Sequence, residues 1–175
     1  NRPSALFILF GATGNLANLK LYPSLYRLYN KGRITEKFGV IGVARRSLTD
    51  EQFKEMVTHS VRSAIKDVDD EKLSTFVEHF IYHSHDVSDQ ESYAALKELS
   101  IEMDERYRLE GNIIFYLAMA PEFFGQITDQ LKLQGLTDTA GFKRVIIEKP
   151  FGSDYASAEK LNDQIRNAFT EEEIY

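Results

Sequence analysis

The chain has 175 residues, 43% hydrophobic and 27% charged, which suits one globular domain and leaves too little for two. Lys and Arg number 21 against 27 Asp and Glu, a formal net charge of -6, so the surface as a whole draws neither nucleic acid nor acidic membrane; with no cysteine, disulfides, thiolate nucleophiles, iron–sulfur clusters and cysteine-bound zinc are excluded together. The longest apolar stretches, Ala5 to Phe10 and Ile113 to Ala120, are far below the roughly 20 residues a bilayer crossing needs, and no basic-then-apolar leader precedes them, so a cytoplasmic protein with no membrane partner is expected.

In chain order, Ala5–Phe10 (ALFILF) reads as the first strand. The helical pattern after it carries Leu21, Leu25 and Leu28 on one stripe beside Tyr22, Tyr26 and Tyr29, and Pro23 falls in its first turn or kinks it. Phe38–Val43 (FGVIGV) is the second strand. A second helix starts at Thr49, where Thr49 and Gln52 have capping-box spacing, and carries Phe53, Met56, Val57 and Val61. The acidic run Asp67–Glu71 (DVDDE) reads as a solvated loop; an EF-hand beginning there would need Gly at its sixth position, where Lys72 stands. Then come a helix at Glu71–Phe76, a strand at Phe80–His83 (FIYH), a helix at Gln90–Arg108, a strand at Asn112–Met119 (NIIFYLAM), a helix at Glu122–Leu133, a strand at Arg144–Glu148 (RVIIE) and a helix at Asp154–Ala168. Each strand is continuously apolar, as in a parallel sheet covered on both faces, and the strand–helix alternation predicts a right-handed, doubly wound α/β sheet. The numbering opens Asn1-Arg2-Pro3 without Met, and the text stops at Thr170-Glu-Glu-Glu-Ile174-Tyr175 in what reads as the start of another element, so a single-domain fragment is expected.

The first strand runs into Gly11-Ala12-Thr13-Gly14-Asn15-Leu16-Ala17 and then a helix. A dinucleotide pyrophosphate calls for this arrangement: glycine lets the backbone turn tightly and approach the phosphates, and the helix N-terminus presents free N–H groups. Thr13 and Asn15 can add side-chain hydrogen bonds. The spacing is G-x-x-G rather than the full G-x-G-x-x-G, which an ordinary glycine-assisted turn also satisfies. The following strand ends in Ala44-Arg45-Arg46-Ser47 with no acid to hold a ribose 2′-hydroxyl. Two guanidiniums beside a hydroxyl suit a 2′-phosphate, so NADP is expected over NAD, unless both arginines are merely solvated.

Asp86-Val87, after the third strand, lies at a carboxyl end where ligands collect and could line the adenine side of a cofactor pocket; Asp86 could equally cap a turn. His79, His83 and His85 lie close in sequence, but no acid has clear ligand spacing, so no metal is expected. The fifth strand ends in Glu148-Lys149-Pro150-Phe151-Gly152. It delivers Lys149 to the carboxyl edge, where an ammonium can hold a substrate oxygen, and Pro150 with Gly152 forms a plausible hinge.

Together these segments resemble the glucose-6-phosphate dehydrogenase family. The resemblance rests on Gly11 to Ala17, Tyr22-Pro23, Val43-Ala44-Arg45, Phe115-Tyr116-Leu117-Ala118 and Ile146-Ile147-Glu148-Lys149-Pro150-Phe151-Gly152, and extends to Ile174-Tyr175. It implies a Rossmann-like NADP-binding domain from an enzyme that oxidises glucose 6-phosphate at C1 to the lactone in the oxidative pentose phosphate pathway. A second, α+β domain would build much of the substrate pocket and the interface of a homodimer or homotetramer. Gly11, Ala12, Thr13, Gly14, Asn15, Leu16 and Ala17 would take the pyrophosphate, Arg45 the 2′-phosphate, Lys149 both substrate and cofactor, and Pro150 would be the hinge. Asn15 replaces the family's usual Asp, Ala120-Pro121 stands where Pro-Pro is common, and Phe124 where some members have Tyr.

The family's Arg-Ile-Asp-His-Tyr-Leu-Gly-Lys motif, whose His takes the C1 hydroxyl proton, would follow Tyr175. None of His59, His79, His83 and His85 matches it, so the 175 residues alone are expected to bind cofactor with negligible turnover. Two alternatives are a stand-alone NADPH-binding regulatory module and a Gfo/Idh/MocA-like sugar dehydrogenase domain, whose G-x-G-x-x-G turn this chain lacks.

Overall fold

Short strands rich in Ile, Val and Phe and joined by helical crossovers have one economical arrangement, a parallel sheet between helix layers. The computed structural model, which describes residues 4–147, 165, 168–170 and 173, has that arrangement. Its strands are β1 (Ala5–Phe10), β2 (Phe38–Ala44), β3 (Phe80–Ser84), β4 (Ile113–Leu117) and β5 (Lys143–Ile147), all parallel, in the spatial order β3-β2-β1-β4-β5. The chain winds from β1 outward to β3, then returns to the other side of β1 for β4 and β5. The order therefore reverses between β1 and β4, and a ligand crevice belongs at their carboxyl ends.

The helices are α1 (Tyr22–Asn30), α2 (Asp50–Ala64), α3 (Asp70–Val77), α4 (Gln90–Tyr107) and α5 (Phe124–Leu133). Alternate residues of β1 feed two cores. Leu6, Ile8 and Phe10 pack with Tyr93, Leu96, Ile127 and Leu131 of α4 and α5, whereas Leu9 lies with Tyr22, Phe53 and Phe76 of α1, α2 and α3. β1 and β2 are buried almost throughout, as expected of strands covered on both faces. β3 and β4 alternate instead, and only Val145 of β5 is buried; α1 to α3 lie over the β1–β3 half and leave Ile114 and Tyr116 of β4 only half-buried.

Thr49 caps α2 through the expected reciprocal pair, its hydroxyl accepting the Gln52 amide at 3.1 Å and the Gln52 side chain accepting the Thr49 amide at 2.9 Å. Of the acidic run, Asp67 to Asp69 form the loop expected, while Asp70 and Glu71 already belong to α3. Asp69 accepts the Glu71 and Lys72 amides and caps α3, and Asp70 and Glu71 occupy its first turn, where carboxylates complement the positive helix end. In α1 the tyrosine stripe takes the core: Tyr22, Tyr26 and Tyr29 are buried and Leu28 is 40% exposed. Most of the helix expected at Asp154–Ala168 lies outside the described residues; Ile165, Ala168 and Phe169 join the core beneath α4 and α5.

Candidate functional site

At the reversal point β1 ends in Gly11, whose φ is +92° and whose Cα faces the Ala118 carbonyl just beyond β4. A Cβ there would lie 2.2 Å from that oxygen, so both backbone conformation and space call for glycine. The amides of Gly11 and Ala12 both donate to the Val43 carbonyl, at 2.9 and 3.1 Å, and the Gly14 amide donates to Gly11 at 3.0 Å. The turn is thereby tied to the end of β2 and closed on itself. The Asn18 amide is the first in the following helix to reach a carbonyl four residues back, donating to Gly14 at 3.1 Å, with the Asn18 side-chain amide on the same oxygen at 2.9 Å. The amides of Asn15, Leu16 and Ala17 precede that first bond and stand at the helix end, where an anion is stabilised.

The helix changes register at once. Ala17–Leu21 is a π-turn, with the Tyr22 amide donating to Ala17, and Pro23 sits in the first turn of α1 as expected. Two hydroxyls whose partners no local sequence pattern reveals meet this segment. The Tyr22 hydroxyl donates to the Ala12 carbonyl at 2.5 Å, and the Ser60 hydroxyl of α2 donates to the Asn18 carbonyl.

Arg45 and Arg46 follow β2, and their backbone is stitched to β3. The Ser84 hydroxyl donates to the Arg45 carbonyl at 3.4 Å and the Tyr82 hydroxyl to the Arg46 carbonyl at 2.6 Å. Burial raises the Tyr82 hydroxyl pKa, with Arg46 opposing it, so it stays a donor. Both arginine side chains are exposed, and neither forms an ion pair among the described residues. Cations without acidic partners at the end of β2 can accept a phosphate.

Asp86 and Val87 lie past β3 on the same edge. Asp86 organises the turn into α4: its carboxylate accepts the Ser88 amide at 2.9 Å and its carbonyl the Asp89 amide at 3.0 Å. Val87 is half-buried, and its carbonyl accepts the Tyr93 hydroxyl at 2.9 Å. His83 lies 3.0 Å from the Ser92 carbonyl through Nε2. His85 is buried edge-on to Phe10 and Tyr93, with no hydrogen-bond partner on either ring nitrogen among the described residues. Burial, reinforced by His83, pushes its pKa down to about 4. His79 belongs to the opposite edge of the sheet. Among the described residues no three His, Asp or Glu side chains gather as metal ligands, and no helix is long and apolar enough to cross a membrane.

Gly11 to Ala17, Arg45, Asp86 and Val87 are therefore brought to one edge of the sheet, together with Ala118. Lys149 and Pro150 lie outside the described residues, as does Glu148.

The model of the glucose-6-phosphate dehydrogenase NAD-binding domain matches residues 8–175. The chain is 49% identical over 174 residues to a glucose-6-phosphate 1-dehydrogenase of Bacillus subtilis, covering 99% of this chain and 35% of that protein. It is 48% identical over 167 residues to one of Streptococcus pneumoniae, covering 95% and 33%. A solved structure of glucose-6-phosphate dehydrogenase in complex with its substrate glucose-6-phosphate superposes with a TM-score of 0.89 at 32% identity, covering 99% of this chain and 36% of that one. The chain thus spans about a third of the length of these relatives.

Proposed function

The chain belongs to the glucose-6-phosphate dehydrogenase family, and on that footing we propose that it is the NADP-binding domain of an enzyme that oxidises glucose 6-phosphate to the lactone. The observation that carries the dinucleotide reading is the Gly11 turn. At the switch point between β1 and β4 it brings backbone so close to Ala118 that no side chain fits, and it turns helix-end amides toward the crevice. The residues present fit the group. Gly11 to Ala17 would hold the pyrophosphate, the Arg45 guanidinium the 2′-phosphate, and Asp86 with Val87 the adenine side. When bound, the nicotinamide supplies the hydride acceptor. This chain's own contribution is to orient the dinucleotide across the carboxyl edge and to neutralise its phosphates with amides and guanidinium.

The preference for NADP over NAD is supported by the end of β2, which has Arg45 and Arg46 exposed and no acid to hold a free 2′-hydroxyl. Lys149, as a contact to glucose 6-phosphate and cofactor, and Pro150, as the hinge beside it, are carried by the family resemblance of the EKPFG segment. Assembly into a homodimer or homotetramer through a further domain rests on the same footing. Family membership favours this reading over a Gfo/Idh/MocA-like domain or a stand-alone NADPH-binding regulatory module.

Calorimetric titration of the chain with NADP and NAD, alongside Arg45→Ala, tests the reading. NADP should bind more tightly than NAD, and Arg45→Ala should weaken NADP by about 1–3 kcal/mol while leaving NAD nearly unchanged. Equal loss for both nucleotides would remove Arg45 from the 2′-phosphate site, and no binding to a folded chain would overturn the dinucleotide reading.

A further inference from the structure

We propose that Tyr22 and Ser60 are positioning residues of the phosphate turn, acting on it from within the protein through the carbonyls of Ala12 and Asn18; the inference rests on the dinucleotide reading above. The Ala12 carbonyl and the Thr13 amide belong to one trans peptide plane and point in opposite directions. The Tyr22 hydroxyl holds that carbonyl inward at 2.5 Å, and so turns the Thr13 N–H away from the core. The Gly11 and Ala12 amides are already committed to backbone, at Val43, whereas the 12–13 peptide that follows them is oriented by a side chain. Tyr22 is built to hold it. Its ring is fully buried, edge-on to Phe53 at 5.9 Å and Phe80 at 6.1 Å, and burial, with Tyr82 adding to it, raises the hydroxyl pKa well above its ordinary value, so the group remains a donor.

Ser60 acts one turn later. Because Ala17–Leu21 is wound in π register, the Tyr22 amide goes to Ala17, and the next residue in that register, Pro23, has no N–H to offer Asn18. The Ser60 hydroxyl fills the place and pins the Asn18 carbonyl to α2. Asn18 in turn carries both donors on Gly14, so its position sets where the amides of Asn15 to Ala17 stand. A phosphate held by this turn would depend on two hydroxyls that never touch it.

The experiment titrates the 175-residue chain, Tyr22→Phe and Ser60→Ala with NADP and with adenosine 2′-monophosphate, which carries the 2′-phosphate and no pyrophosphate. Each variant should lose about tenfold in NADP affinity and stay within about twofold for adenosine 2′-monophosphate, with the Thr13 amide resonance shifted in Tyr22→Phe. Unchanged NADP affinity in a folded variant, or equal loss for both ligands, would overturn the inference. Should Tyr22→Phe fail to fold, Ser60→Ala decides alone. A wild-type chain that binds neither ligand would instead sink the dinucleotide reading, and this inference with it.

Discussion

The two edges of the sheet treat their polar groups in opposite ways. At the amino edge polar groups are paired off. Asn112 donates to the Ser4 carbonyl and accepts the Phe142 amide, both at 2.9 Å, and Asp104 accepts the amides of Leu109 and Gly111 at 3.1 and 2.9 Å. His79 lies between the rings of Phe38 and Tyr107, with Nδ1 2.7 Å from the Phe38 carbonyl and Nε2 2.8 Å from Glu36, which also accepts the Tyr29 hydroxyl at 2.5 Å. Burial would raise the Glu36 carboxyl pKa, but the hydrogen bonds from Tyr29 and His79 outweigh it and hold it below its ordinary value. At the carboxyl edge helix-end amides, two arginines and both nitrogens of His85 have no partner among the described residues. Since buried polar groups are otherwise satisfied almost without exception, the imbalance shows where the fold keeps its capacity to bind and where it keeps its stability.

The sharpest way to break that contrast is Gly11→Ala. The new Cβ would fall 2.2 Å from the Ala118 carbonyl at a φ of +92°, and strain and overlap together should cost about 3–5 kcal/mol in urea unfolding and abolish dinucleotide binding. Next is His85. Its folded pKa of about 4 lies below the ordinary 6.5, so the unfolded chain binds the extra proton between those values. The stability that follows is fully present above pH 6.5 and lost as pH falls toward 4, about 3 kcal/mol in all. His85→Phe should flatten the acid side of the stability profile; an unchanged slope in unfolding curves at pH 7.5, 5.5 and 4.5 would assign the acid loss to other groups.

This contrast is only partly legible in the sequence. Local signals are legible: the apolar runs match all five strands to within two residues, Thr49 and Gln52 form their capping box, and Gly11 sits in the turn its neighbours imply. Long-range pairings were not readable. Tyr22 reaches Ala12 ten residues back only because the turn closed at Gly14 leads straight into the helix that carries it, and Ser60 meets Asn18 across 42 residues because Pro23 leaves a carbonyl without a donor. His79, His83 and His85 look alike in sequence, yet they fall at opposite ends of β3, one bonded at both nitrogens and one with no partner among the described residues, since a strand five residues long separates the two edges. The acidic run at Asp67 is loop only as far as Asp69, and its sequence does not show where the helix begins, because a cap and a solvated loop use the same residues.

His79→Leu sharpens the comparison from the amino edge. It strands the buried Phe38 carbonyl and removes a partner of Glu36, so it should cost about 2 kcal/mol of stability while leaving the NADP affinity of the folded chain unchanged. A matching loss of affinity would show that the two edges are not separate.

The smallest effect is expected from Arg46→Ala. Tyr82 bonds the Arg46 backbone carbonyl, which the substitution keeps, and the guanidinium is exposed with no ion pair among the described residues, so unfolding stability should stay within about 0.5 kcal/mol of wild type. A weakening of NADP binding without any change in unfolding would place Arg46 with Arg45 among the groups held ready for a ligand. A clear loss of stability would mean that the guanidinium secures the β2–α2 connection, and that the carboxyl edge, like the amino edge, uses its charges to hold the fold together.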